Sequence, residues 1–148
     1  VSLPVSPFIS KYLEPGTGGG LSFLVRKNFW PMRMEIESAF LSYPLEGNSG
    51  ATFRLIPVTL GLHYPLPVLQ KSAFGISVFV KSGVAIELLS MNGATDVNTA
   101  MISGLGAGLT RSFSTSFEAG LTIQYTMLTE KDETASFFQL QLHFDLKL

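Results

Sequence analysis

The sequence predicts an all-β chain: a closed, eight-stranded, antiparallel up-and-down transmembrane β-barrel in a single domain spanning residues 1–148. Three observations predict it. First, Phe74, Ile76, Val78, Val80, Val84, Ile86 and Leu88 alternate with Gly75, Ser77, Phe79, Lys81, Gly83, Ala85 and Glu87, giving one apolar face and one mostly small or polar face. Ordinary strands run to about five or six residues. A much longer strand, oily along one side, suits a wall with lipid outside and a narrow polar lumen inside. Second, charged residues make up only 14% of the chain and hydrophobic ones 46%, where about 25% charged is usual for soluble domains. The mean hydropathy is +0.33, yet the apolar residues are dispersed, with no run of roughly 18 to make a membrane-spanning helix. Third, the small face carries Gly104, Gly106 and Gly108 in one strand. Glycine weakens a strand and covers nothing on a solvent face, but it fits a cramped eight-stranded lumen.

The elements follow in order. Val5–Leu13 is the least regular strand and ends at the turn composition Glu14-Pro15-Gly16-Thr17. Gly18–Lys27 sets Leu21, Phe23 and Val25 against Gly20, Ser22, Leu24 and Arg26, and Phe29-Trp30-Pro31 closes it. Arg33–Tyr43 sets Met34, Ile36 and Phe40 against Glu35, Glu37, Ala39 and Leu41. A polar loop at Glu46–Gly50 leads to Thr52–Tyr64, with Ile56, Val58, Leu60, Leu62 and Tyr64 on one face and Leu55, Pro57, Thr59, Gly61 and His63 on the other. Pro65-Leu66-Pro67 turns into the strand quoted first. A loop at Ser90–Val97, around Asn92-Gly93, precedes Asn98–Arg111. Phe117–Met127 sets Leu121, Ile123 and Tyr125 against Glu118, Thr122 and Gln124. After the charged loop Glu130–Glu133, Thr134–Leu148 alternates Phe138, Leu140, Leu142 and Phe144 with Gln139, Gln141, His143 and Asp145. The even count suits antiparallel closure and puts both ends on one side.

A net charge of −1 gives none of the basic footprint of a nucleic-acid binder. The chain has no cysteine, which excludes disulfides, thiolate metal sites and a Cys nucleophile. It opens at Val1 without a charged segment and apolar h-region, so an exported form would have lost its signal peptide. A soluble lipocalin-like barrel would turn the apolar faces inward around a ligand. The glycine-rich polar faces favour the membrane arrangement over it.

Gly18-Gly-Gly-Leu-Ser-Phe-Leu-Val25, Phe53-Arg-Leu-Ile-Pro-Val-Thr-Leu-Gly-Leu-His-Tyr64 and the alternating final strand Phe138–Leu148 resemble small bacterial outer-membrane barrels of the OmpA-membrane-domain, OmpX and OmpW type. The last strand ends in Leu148 where those barrels usually carry Phe. The resemblance covers nearly the whole chain and implies fold and location rather than activity. It implies outer-membrane placement with both termini periplasmic, and membrane lipids and the outer-membrane assembly machinery as partners. The connections at Phe29–Pro31, Pro65–Ser72 and Ser112–Thr115 would then be periplasmic turns, and those near Pro15, Asn48, Asn92 and Lys131 would face outside. Phe29, Trp30, Tyr64, Phe113 and Phe117 below, and Tyr43, Phe53, Tyr125 and Phe138 above, are the expected interface aromatics.

Strand parity sends Arg26, Glu35, Glu37, Lys81, Glu87, Glu118, His143 and Asp145 into the lumen, where they must pair or meet water. Arg26 and Glu35 are expected to face each other across their hairpin. The cluster reads either as a salt-bridged filling that fixes register or as a gate titrated by His143. The filling is favoured, because side chains alone can fill an eight-stranded interior. His63 reads as a boundary residue. No metal or cofactor is expected, since two distant histidines without cysteine lack ligand spacing. No catalysis is expected either, because neither histidine sits beside a serine near the outer rim. The expected role is structural, surface-interacting or membrane-stabilising, with a narrow channel or carrier for small or apolar molecules as the alternative.

Overall fold

The computed structural model describes residues 1–4, 13–26, 32–66, 74–114, 117–130 and 133–146. Eight strands make one antiparallel sheet: β1 Ser2–Pro4, β2 Thr17–Arg26, β3 Arg33–Leu45, β4 Asn48–Pro65, β5 Phe74–Met91, β6 Ala94–Ser112, β7 Phe117–Glu130 and β8 Glu133–Leu146. The order β1-β8-β7-β6-β5-β4-β3-β2 is that of an up-and-down meander whose first strand returns to the last. The sheet curls until β1, already paired with β8, also meets the lead-in to β2 through Ser2 and Gly16, whose backbones exchange bonds of 2.9 and 2.8 Å. Among the described residues, β8 and β2 are linked through the short β1, as the eight-stranded barrel reading expects. The first described strand is Ser2–Pro4, and the strand expected at Val5–Leu13 falls almost wholly outside the described residues. Within it only Leu13 is described, forming a lone bridge with Leu45.

Two polar stretches expected to be loops are strand. β4 begins at Asn48 and β6 at Ala94, leaving only Glu46-Gly47 and Asn92-Gly93 as turns. Asn92 and Gly93 have φ of 53° and 80°, the pair of left-handed positions that a tight hairpin matching strand twist requires. These strands carry their ladders beyond the apolar band into exposed polar tips such as Thr95 and Asp96, so composition there signals solvent rather than a loop. At the opposite end, which holds the end of β8, the connections cover 27–32, 66–73 and 113–116. The two ends are called here the hairpin end and the terminal end. The connections expected to be tight are thus longer than the Glu46-Gly47 and Asn92-Gly93 turns.

The inside–outside assignment holds along every long strand. Val80 is 57% exposed and Leu105 56%, whereas Lys81 between the same neighbours is 8% exposed. Valine and leucine rows cover the outside, and the core lies within the curl. No helix among the described residues is long and apolar enough to cross a membrane.

Candidate functional site

The interior divides into two chambers of different chemistry. In the half toward the hairpin end, inward positions of β3, β4, β7 and β8 supply Tyr43, Leu55, Leu128 and Phe137, with Ile102 of β6 completing the cluster and Ala85, Ala100 and Ala135 making room for them. Tyr43, Leu55 and Phe137 have no exposed surface. The Tyr43 ring lies 5.3 Å from Phe137 and 6.0 Å from Phe53, and its hydroxyl donates to Ser2 Oγ at 2.8 Å. Tyr43 and Phe53 therefore belong to the interior. Placing them at the membrane interface was wrong, and odd-numbered parity with Glu35 and Glu37 on β3, and with Leu55 on β4, already pointed inward. The lumen expected to be polar throughout is largely apolar in this half, with Glu87 as a buried carboxyl in register with Leu55.

Below the apolar cluster a cavity of about 780 Å³ opens toward the terminal end, lined by Glu35, Glu37, His63, Lys81, Gln124 and His143 among others. Lys81 Nζ donates to Glu37 Oε2 at 2.5 Å, and His63 Nε2 lies 2.6 Å from Glu35 Oε2. The two pairs are joined through Phe79: His63 stacks on its ring at 4.8 Å and Lys81 Nζ stands 5.9 Å from its centroid. Space for that ring comes from β6. A Cβ on Gly106 would lie 2.5 Å from Phe79 Cζ, and a Cβ on Gly120 would collide with His143. Gly106 and Gly120 thus make room for the Phe79 and His143 rings, while Gly104 and Gly108 face smaller neighbours. Between the chambers Gln124 Nε2 donates to Gln139 Oε1, which also accepts from Thr126 Oγ1 at 3.3 Å. Gln124 Oε1 is buried without a protein partner at the floor of the cavity.

Of the predicted lumen residues, Glu35, Glu37 and Lys81 come together. Glu118, accepting from Ser112 Oγ, and His143, with Nδ1 3.4 Å from Thr122 Oγ1, stand elsewhere on the wall of the same cavity. Glu87 is buried too, but its hydrogen-bonding neighbour is Glu130, near the hairpin end. Asp145 stands opposite Glu118 in register. Arg26 stands opposite Arg33, and Glu35 faces Leu24 instead, because the connection begins right after Arg26 and moves the hairpin register. The side chains of Arg26 and Asp145 lie outside the described residues.

Sequence reasoning missed His63 as a member of the charged network, although its alternation with Thr59 and Gly61 was the available signal. Among the outward aromatics, Tyr125 packs on Phe138 at 5.2 Å, Phe113 on Phe117 at 5.8 Å, and Phe117 on Phe144 at 6.3 Å. Tyr64 is also outward and exposed. Arg111 lies over Phe74 and Phe113 at 5.3 and 5.1 Å. Phe29 and Trp30 lie outside the described residues.

No family model matches the chain, and no curated protein matches it in sequence. Among solved structures it is similar to the crystal structure of Neisserial surface protein A (NspA), with a TM-score of 0.77 and 12% identity over 99% of this chain and 91% of that one. At that identity the likeness establishes the fold, an eight-stranded antiparallel β-barrel architecture, and leaves activity to be argued from the interior.

Proposed function

We propose that this chain is an integral outer-membrane barrel of a Gram-negative-type bacterium with a structural, membrane-stabilising role, and that it neither catalyses nor conducts. The observation that carries this reading is the apolar cluster around Tyr43, Leu55 and Phe137, which fills one half of the lumen without leaving solvent-accessible surface on those side chains. A water-filled path would have to displace it. Outward rows of Val, Leu and Ile flanked by aromatic residues support lipid as the surrounding medium, with membrane lipids and the outer-membrane assembly machinery as partners. The ion pairs Lys81–Glu37 and His63–Glu35 serve to hold β3, β4 and β5 in register.

The termini are proposed to face the periplasm, so that the hairpin end faces outward. Among the described residues it would then offer the two-residue turns Glu46-Gly47 and Asn92-Gly93 and the short stretch 13–16 to a partner. That geometry favours a structural role over a surface-binding one. Conductance in planar bilayers tests the sealed lumen: the chain gives no steps at neutral or low pH, and the Tyr43→Ala/Phe137→Ala double variant gives them. Steps from the unmodified chain would sink the proposal. Because the chain has no cysteine, Ala94→Cys and Ser114→Cys report orientation cleanly. An impermeant thiol reagent on intact cells labels the first and spares the second; the opposite pattern reverses the insertion.

A further inference from the structure

The buried acceptor at the floor of the cavity has its direction set by a chain of hydrogen bonds that begins in the apolar half. Tyr43 donates its hydroxyl proton to Ser2 Oγ at 2.8 Å, which leaves the phenolic oxygen to accept, and the Gln139 side chain bonds to it. Only the amide Nε2 of Gln139 can donate there, so Gln139 Oε1 is turned the other way. That oxygen accepts from Thr126 Oγ1 and from Gln124 Nε2. Gln124 is thereby held with its own Oε1 away from Gln139, buried and without a partner among the described residues. A flipped Gln124 amide would set two carbonyl oxygens against each other. A buried carbonyl left unpaired is costly, and what this one lacks is a donor. Gln124 lines the cavity of about 780 Å³, a volume ordinary for a small-molecule site.

We propose that this chamber binds a small aliphatic primary amine, with its ammonium group on Gln124 Oε1. Three observations select that chemistry over a neutral or anionic ligand. Oε1 lies deep, so the group that reaches it must be slender, and an ammonium is compact and carries three donors with no acceptor. Among the described residues lining the cavity, the carboxylates Glu35, Glu37 and Glu118 outnumber the cations Lys81 and Arg33. An added positive charge is welcome there, and an anion would have to lie among carboxylates. The floor also offers an aromatic ring. A Cβ on Gly106 would lie 2.5 Å from Phe79 Cζ and 2.9 Å from Gln124 Cβ, which sets the ring beside the amide, where a cation gains from its face. Lys81 already shows the chamber holding an alkylammonium in this manner, with Glu37 Oε2 at 2.5 Å and the Phe79 centroid at 5.9 Å. Leu24, Ala39 and Leu41, also on the lining, suit the alkyl part. The Tyr43 cluster closes the chamber toward the hairpin end, so binding here is not passage. The proposal goes beyond the structural role and does not depend on which way the chain is inserted.

Calorimetric titration of the protein in uncharged detergent micelles tests it with three probes of one chain length: diaminobutane, butanediol and succinate. The diamine binds saturably, about tenfold or more tighter than the diol, and succinate gives no saturable heat. Magnetic resonance locates the site on the unmodified chain, where the diamine methylene protons cross-relax with the Phe79 ring and the Gln124 side-chain amide. Gln124→Leu keeps the size and deletes the acceptor, and it weakens the diamine about tenfold or more, while Val84→Ala, on the outer face, leaves its affinity unchanged. Should Gln124→Leu fail to fold, the order of the three probes and the contacts on the unmodified chain still decide. Diol or succinate binding as tightly as the diamine would overturn the inference. So would contacts confined to the outer face or the hairpin end, or a folded Gln124→Leu chain that binds as before. Absence of saturation by the diamine would overturn it as well, leaving the chamber to water alone.

Discussion

The two halves of the interior lie behind the same kind of wall but are filled in opposite ways. Toward the hairpin end, large rings and branched chains meet alanines, the Tyr43 hydroxyl finds Ser2, and Glu87 is the buried carboxyl beside Leu55. Toward the terminal end, Glu35, Glu37, His63 and Lys81 stand around an open volume of about 780 Å³. Outward apolar residues line both halves, Leu60, Val80 and Leu105 in one and Val84, Ile86 and Met101 in the other, all exposed. In the proposed membrane setting the bilayer would constrain the outside alone, and each half solves its own interior. Apolar packing gains by removing water, whereas paired charges need water or further partners close at hand. One half can serve as a seal and the other as a polar, adaptable framework, and their responses to substitution should differ accordingly.

The largest effect is expected at the seal. Phe137→Ala removes a ring with no exposed surface and should destabilise the barrel by about 3–5 kcal/mol, read as the shift in a urea titration of the lipid-inserted protein. A loss under about 1 kcal/mol would mean that the cluster is loosely packed, and the contrast between the halves would fail. Next comes Lys81→Met, which strands Glu37 beside the cavity. Water in that chamber moderates the penalty to about 1–3 kcal/mol, and adding Glu37→Leu should recover most of it, because a mutual pair replaced by apolar groups of similar size leaves no orphan charge. If the double variant is no better than the single, the pair is not the unit of stability in this half.

How far this contrast was legible in the sequence depends on the residue. The period of two separates inward from outward side chains on the long strands, and Lys81, Glu35 and Glu37, expected inward, line the cavity. Parity says nothing about height, however, so Glu87 was grouped with charges that lie at the other end. Register escaped as well. The residues around Phe29 gave the position of a turn but not its length, and a small change in that length put Arg33 rather than Glu35 across from Arg26. Tyr43 has the look of an interface aromatic near a strand end, but the parity it shares with Glu35 and Glu37 puts it inside, without exposed surface. The division into two chambers could not be read at all, since it arises from which inward residues of distant strands share a level, as when Leu55 meets Phe137.

The smallest effect sharpens the comparison most. His63 sits 2.6 Å from Glu35 and flat against Phe79, so two contributions are mixed: a bond to a carboxylate and the stacking of a ring. His63→Gln keeps an amide donor for Glu35 but gives up the ring, and the site should lose about 0.5–1.5 kcal/mol. His63→Phe keeps the stack and gives up the donor, leaving Glu35 to the water of the chamber. If the lower half is governed by polar pairing, the phenylalanine variant is the weaker of the two in a urea titration. If ring packing governs there as it does around Tyr43, the order inverts, and the two halves differ in composition without differing in physics.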